Sequence, residues 1–194
     1  MRIVLLGAPG SGKGTQAALL ESRLRVPHIS TGVLFRKAVE DETELGLKVK
    51  SILDAGELVP DDLTLGLLEE RMMQADAEQG FILDGYPRNL TQAEALTNLL
   101  DRLDRPLQEA IQIDVDIEEV VARIAKRAAQ EGRSDDSEEV VRNRMRIYEE
   151  QTAPVVNYYA EQGLLTRVLG SGTIEEVLER IISVLEMGEA ERAG

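Results

Sequence analysis

Nine consecutive residues, Gly7-Ala8-Pro9-Gly10-Ser11-Gly12-Lys13-Gly14-Thr15, combine four glycines with one lysine. Glycines let the chain curl until successive backbone N–H groups point inward at an anion. A helix starting at Lys13 adds unsatisfied donors and a partial positive charge. The lysine itself is a full cation that can reach the β and γ phosphates of a nucleotide. The strict phosphate-loop pattern has Ser or Thr directly after the lysine; here Gly14 stands there and Thr15 follows. That shift argues against a hydroxyl bound directly to a metal, leaving the metal to phosphates and water. A second group is Asp84-Gly85-Tyr86-Pro87-Arg88. Its aspartate is costly to bury unless it is paired or close to a metal. Gly85 permits close backbone approach, Pro87 after an aromatic residue can be cis, and Arg88 offers a planar fork suited to phosphate. A third group is basic: Arg123, Lys126, Arg127, Arg133, Arg142, Arg144 and Arg146 are seven of the 22 lysines and arginines. Solvated helix faces would explain most of them. Arg123 and Arg127, however, are four apart on one helix face and repel each other unless an anion lies near.

The elements that must position these groups alternate short β runs with longer helical stretches, which predicts an α/β fold with a parallel sheet. Arg2–Leu6 reads as a buried strand leading into the glycine loop, and Lys13 to about Leu24 as the helix after it. Phe81–Asp84 reads as a second buried strand. It delivers Asp84 to a carboxyl-terminal strand end, the edge where open α/β sheets bind ligands. Glu109–Val115 and Leu164–Leu169 read as further strands, and Pro27–Ser30 as a short fifth. Glu118–Arg127, Ser137–Gln151 and Thr173–Leu185 are helical by apolar spacing, with Pro154 expected to break or bend the helix begun near Ser137. Residues 30–60 carry only helical signals and read as an insertion, in which Ser30 or Thr31 can cap a helix. Residues 127–136 read as a polar loop. The tail after Met187 is expected to fray.

Composition excludes several classes of function. The 194 residues contain no cysteine, so disulfides, thiol nucleophiles and cysteine-ligated zinc are ruled out. The one histidine, His28, cannot form a metal cluster by itself. A net charge of -14 repels nucleic acid from the average surface. No apolar run reaches the length of a membrane span, and the run after Met1 is too short for a signal peptide, so a cytoplasmic protein with no membrane contact is expected. An acidic protein that binds nucleotides must gather its cations locally, and residues 123–146 are such a concentration.

Taken together, GAPGSGKGTQ, STGVLFR, DAGELVP, DGYPR and GRSDD resemble the corresponding segments of adenylate kinases and their relatives, the nucleoside monophosphate kinases. The likeness runs from residue 1 to about 185. It implies a P-loop NTPase fold: a five-stranded parallel sheet with helices on both faces, a helical monophosphate-binding domain and a lid. The implied division is a core of residues 1–29, 60–126 and 137–194, an AMP-binding domain at 30–59 and a short lid at 127–136.

The resemblance also implies roles. Gly10, Ser11, Gly12, Lys13, Gly14, Thr15, Arg127 and Gly172 would contact ATP. Thr31, Arg36, Glu57, Leu58, Val59, Gly85, Tyr86, Pro87, Arg88 and Gln92 would contact AMP, with Gln92 reading the base. Lys13, Arg88, Arg123, Arg133 and Arg144 would stabilise the migrating phosphoryl group, Arg133 and Arg144 also meeting AMP. Asp84 would order water around Mg2+, with no zinc. Asp135 and Asp136 would form ion pairs that hold the lid closed, or a solvated turn. The implied activity turns ATP and AMP into two ADP in a monomer. One position departs: Val33 stands where the family usually has Asp. A UMP/CMP kinase is the near alternative, but pyrimidine relatives generally have Ala at the place of Thr31. GMP kinases use a different monophosphate domain. An ATP sensor without turnover would leave the arginines and DGYPR idle.

Overall fold

The computed structural model describes residues 1–116, 118–124 and 137–193, the side chains of 189–193 excepted. The first strand, β1 (Arg2–Leu6), has four apolar residues in succession, all buried. Such a run suits a parallel strand covered on both faces. The sheet provides this. After β1 and α1 (Lys13–Leu24) come β2 (His28–Ser30), α2 (Thr31–Glu40), α3 (Glu44–Asp54) and α4 (Asp61–Met72). Then follow β3 (Phe81–Asp84), α5 (Leu90–Arg102) and β4 (Glu109–Asp114). The helix α6 is described over 118–124. The chain ends with α7 (Glu138–Ile147), α8 (Ala153–Glu161), β5 (Leu165–Leu169) and α9 (Ile174–Ala193).

The five strands are all parallel, in the order β2-β3-β1-β4-β5. Register places Leu5 beside Asp84 and Ser30 beside Asp84 on the other side, so the loops after β1, β2 and β3 leave the sheet together. The strand period of two assigns β1 residues to opposite faces. Val4 and Leu6 enter one apolar layer with Leu83, Tyr86, Leu96 and Tyr159. Ile3 and Leu5 enter the other with Ala17, Leu20, Ile111 and Ile181. Full burial of each large aliphatic side chain contributes about 1.5–3 kcal/mol relative to exposure. These two layers are therefore the bulk of what holds the sheet.

The segment predicted as an insertion has a small cluster of its own. Phe35, Val49 and Val59 are buried together, with Leu63 and Leu67 of α4 against them. The opposite side of α4 contributes Leu68 and Met72 to a sheet layer, so one helix serves both. Within the insertion, α2 and α3 cross at Gly46, where a Cβ would run into the Ala38 carbonyl. Gly46→Ala is expected to destabilise the protein by about 1–3 kcal/mol, the usual cost of overpacking. A urea midpoint equal to that of the parent would contradict this contact.

The helical path from α7 does not end at Pro154. Tyr148–Thr152 form a π-helical turn, and α8 continues directly from it with Pro154 in its first turn. Proline has no N–H to donate to the preceding turn and crowds it, and the wider turn ahead of it accommodates the ring. The last helix also runs further than the sequence suggested, to Ala193. The expected lid, residues 127–136, lies outside the described residues, as does the end of the predicted Glu118–Arg127 helix. Among the described residues no helix is long and apolar enough to cross a membrane.

Candidate active site

The loop between β1 and α1 is shaped by glycine backbone. Gly7, Gly10 and Gly12 have φ of 145°, 84° and 99°. A Cβ on Gly10 would also meet Ile124 Cγ1 at 2.6 Å, so both conformation and space demand glycine there. Helix α1 starts at Gly12 with no side-chain cap and no acid in its first turn. Of the other helices, α4 also lacks a side-chain cap but opens on two acids, Asp61 and Asp62, and α8 runs on from a π-helical turn. The other described starts are capped. Ser30 caps α2, Thr43 caps α3, Asn89 caps α5 and Ser137 caps α7. Thr173 and Glu176 exchange bonds across the start of α9, at 3.2 and 2.8 Å. A cap contributes about 1 kcal/mol. At α1 that contribution is forgone, and the helix start is left able to receive an anion.

Lys13 Nζ folds back over the loop and donates to the carbonyls of Gly7 at 2.7 Å and Ala8 at 2.8 Å, with Ser11 Oγ at 3.4 Å. Arg123 of α6 reaches the same loop from outside. It donates to Ser11 O at 3.2 Å and to Gly170 O at 2.8 Å, and pairs with Glu119 at 2.5 Å. Arg123 thus joins the phosphate loop to the turn between β5 and α9, where Gly172 has a φ of 110°.

At the end of β3, Asp84 faces the loop: a Cβ on Gly14 would lie 3.5 Å from Asp84 Oδ2. Burial works against its ionisation. His28, with Nε2 3.4 Å from Oδ2, together with the Lys13 and Arg88 charges, outweighs that and holds the carboxyl below the usual range. An ionised carboxylate beside a phosphate loop fits a magnesium ion that arrives with a nucleotide. Among the described residues no group of three His, Asp or Glu could hold a metal alone, so phosphate oxygens and water would supply the remaining ligands. Gly85 has a φ of 79° and Tyr86–Pro87 is cis. Arg88 Nε donates to Gly85 O at 2.8 Å, and Thr31 Oγ1 donates to the same oxygen at 2.9 Å. Thr152, in the π turn, donates to Arg88 O at 2.7 Å.

These pieces share one cleft of about 790 Å³. Residues Gly10 to Thr15, Asp84 to Arg88, Leu58 and Gly172 line it, as do Arg36, Arg123 and Arg144. Val33 lines it too and is 52% exposed. Glu57 and Val59 border a smaller hollow of about 420 Å³ beside it. Gln92 lines neither and is buried behind Arg88, its Oε1 accepting from Arg88 N at 2.7 Å. Arg127, Arg133, Asp135 and Asp136 lie outside the described residues. Sequence reasoning missed His28 against Asp84, Asp61 against Gln92, Thr152 against Arg88, and Asn143, whose amide reaches Ala55 O at 2.9 Å. None had a local signal, because each contact joins segments far apart in the chain.

A parallel sheet in this order, with a glycine loop and lysine between β1 and α1 and cations converging over the strand ends, defines a P-loop phosphotransferase of nucleotides. Comparison with known proteins narrows the class. The adenylate kinase family model matches residues 5–164. An adenylate kinase of Stenotrophomonas maltophilia (strain R551-3) is 52% identical over 186 residues, which cover 96% of this chain and all of that protein. One of Xanthomonas oryzae pv. oryzae (strain MAFF 311018) is 54% identical over 185 residues, 95% of this chain and 99% of the relative. The chain belongs to the adenylate kinase family.

Proposed function

We propose that this chain transfers the terminal phosphoryl group of MgATP to AMP, reversibly, giving two ADP and so balancing adenine nucleotide pools. The observation that carries the reading is the single cleft in which Lys13, Arg36, Arg88, Arg123, Arg144 and Asp84 converge. In an acidic protein, so many cations gathered around an uncapped helix start suit a polyanionic ligand.

Donor and acceptor would meet end to end there. The α1 start, Lys13, Arg123, Arg127 and Gly172 take the ATP side. Thr31, Arg36, the backbone of Glu57 to Val59, Gly85 to Arg88, Arg133 and Arg144 take the AMP side, with Gln92 reading the base. Phosphoryl transfer depends on alignment and charge neutralisation more than on covalent chemistry. The attacking AMP phosphate oxygen is already anionic at neutral pH, so no general base is needed. Lys13, Arg88, Arg123, Arg133 and Arg144 offset charge on the migrating group. Closure of a 127–136 lid and of the 30–59 domain over the 1–29, 60–126 and 137–194 core would exclude water, which competes for the same phosphate. The protein would work as a cytoplasmic monomer, without nucleic acid or membrane partners.

Magnesium, bound with ATP, would neutralise phosphate charge, and Asp84 would orient water around it. Val33 offers no carboxylate at the cleft mouth. Val33→Asp is therefore expected to lower the magnesium concentration for half-maximal rate, by roughly tenfold if it acts like other outer-shell metal partners. A magnesium titration that superimposes on the parent's would refute this account of Val33.

The test of the function is ADP formation from MgATP with each of AMP, CMP, UMP and GMP. AMP alone is expected to serve well. Equal or better turnover of CMP or UMP would make the chain a pyrimidine kinase, and no turnover of any would leave an ATP sensor.

A further inference from the structure

The side-chain amide of Gln92 is held from two sides by groups of opposite and fixed character. Its Nε2 donates to Asp61 Oδ1 at 2.7 Å, and its Oε1 accepts from the Arg88 backbone N–H at 2.7 Å. An ionised carboxylate only accepts, and a backbone N–H only donates. Turning the amide over would set oxygen against oxygen and N–H against N–H. At a side chain only 2% exposed, neither mismatch would be relieved by water. Asp61 is itself anchored. It opens α4, where a helix start favours an acid, and the same Oδ1 accepts from Asn89 Nδ2 at 3.0 Å. Asn89 in turn caps α5 by accepting from Gln92 N at 2.8 Å. The three side chains and the Gln92 backbone N–H form a closed ring of bonds between the starts of α4 and α5.

We propose that Asp61 is a positioning residue that fixes the Gln92 amide in the one orientation selecting a 6-aminopurine monophosphate over a 6-oxopurine one. The inference rests on the proposed AMP site, in which Gln92, although it lines neither hollow in this structure, reads the acceptor base. Adenine presents an amino donor at position 6 and a bare acceptor at N1. Hypoxanthine presents an oxygen at position 6 and an N–H at N1. The two edges are complementary to opposite orientations of an amide. The base cannot turn over to compensate, because its phosphate is held among the cleft arginines. A site built to pair one pattern rejects the other strongly, since the mismatched buried groups stay unpaired. An acceptor oxygen fixed beside Nε2 therefore acts on selectivity without touching the nucleotide.

The experiment is steady-state kinetics of the whole protein with MgATP and either AMP or IMP, for the parent, Asp61→Ala and Asp61→Asn. In Asp61→Ala the AMP-to-IMP ratio of kcat/KM should fall by at least about fivefold. The fall should come from a higher KM for AMP, with kcat at saturating AMP nearly unchanged. Asp61→Asn keeps an acceptor oxygen that Asn89 holds in place, and it should retain most of the parent's ratio. An unchanged ratio in Asp61→Ala, or equal losses with both nucleotides, would overturn the proposal and leave Asp61 a tie between two helices. If Asp61→Ala does not fold, the parent decides by NMR of the Gln92 side-chain amide. Amide proton signals that shift on addition of AMP but not of IMP support the proposal; signals that respond to neither nucleotide, or alike to both, overturn it. A parent that makes no ADP from AMP would refute the proposed function itself and this inference with it.

Discussion

Lys13→Ala is expected to reduce turnover by roughly 10³-fold or more, the scale on which a single cation at a transferring phosphoryl group acts. The structure explains why so much depends on one side chain. Nζ is the only full charge that the loop itself carries, and it lies within 2.7 and 2.8 Å of the Gly7 and Ala8 carbonyls. Those bonds hold the ammonium inside the loop, where its charge needs little rearrangement to meet a phosphate. The fold should survive the change, because water can take over the two carbonyls and the sheet layers do not include Lys13. Lys13→Arg should recover little. A planar guanidinium cannot sit as a point charge between two carbonyls and a hydroxyl. Rapid-quench measurement of the phosphoryl step, beside a thermal unfolding scan, separates the two effects. A variant with near-parent turnover would remove Lys13 from the site, and one that unfolds would make its role structural.

Arg88→Ala should cost a comparable factor, on the order of 10³, but with a different signature. Arg88 is fixed through its backbone as well as its side chain. Its N–H donates to Gln92 at 2.7 Å, its carbonyl accepts from Thr152 at 2.7 Å, and its Nε is tied to Gly85 O at 2.8 Å. Truncation to alanine leaves the two backbone bonds in place, so the loop after β3 should keep its path while the guanidinium is lost. The loss is expected in both kcat and KM for AMP, with KM for ATP little changed, because the proposed site sets Arg88 against the acceptor phosphate and the group in flight rather than against the rest of ATP. Arg88→Lys should restore charge but not the fork, and so only part of the rate. A loss confined to KM for ATP would place Arg88 on the wrong side of the cleft.

The sequence allowed much of this to be read in advance, for a physical reason. β1 and β3 were visible because central parallel strands are continuous apolar runs, β2, β4 and β5 because short β-prone stretches stand between helical ones. All were placed to within a residue, β4 ending at Asp114, one short of the predicted Val115, and β5 beginning at Leu165 rather than Leu164. The phosphate loop was visible because its chemistry requires glycine, lysine and a helix start in unbroken succession. Strand order was not legible from local pattern, since nothing within β3 says that it pairs with β1 rather than β4. The neighbours of the site residues were equally hidden. His28 reaches Asp84 across the sheet, and Asp61 reaches Gln92 from 31 positions away. Pro154 announced an interruption but not its form. Its local rule holds, but the π-helical turn ahead of it absorbs the distortion, and that same turn carries the Thr152 bond to Arg88.

The small cluster of Phe35, Val49 and Val59 has a bearing on how the molecule comes apart. Because α4 is a shared wall between that cluster and the sheet, the α2–α3 hairpin can detach along one side of it with little exposure of the sheet's interior, against which it packs only the partly buried Leu34. Opening there forfeits only a few apolar contacts, whereas melting β1 forfeits both layers at once. The protein therefore carries two grades of resistance in one chain, a stiff slab and a loosely moored flap. Heat or mild denaturant should loosen the flap well before the slab yields, with backbone amides in residues 31–54 exchanging with solvent ahead of those in β1, β3 and β4.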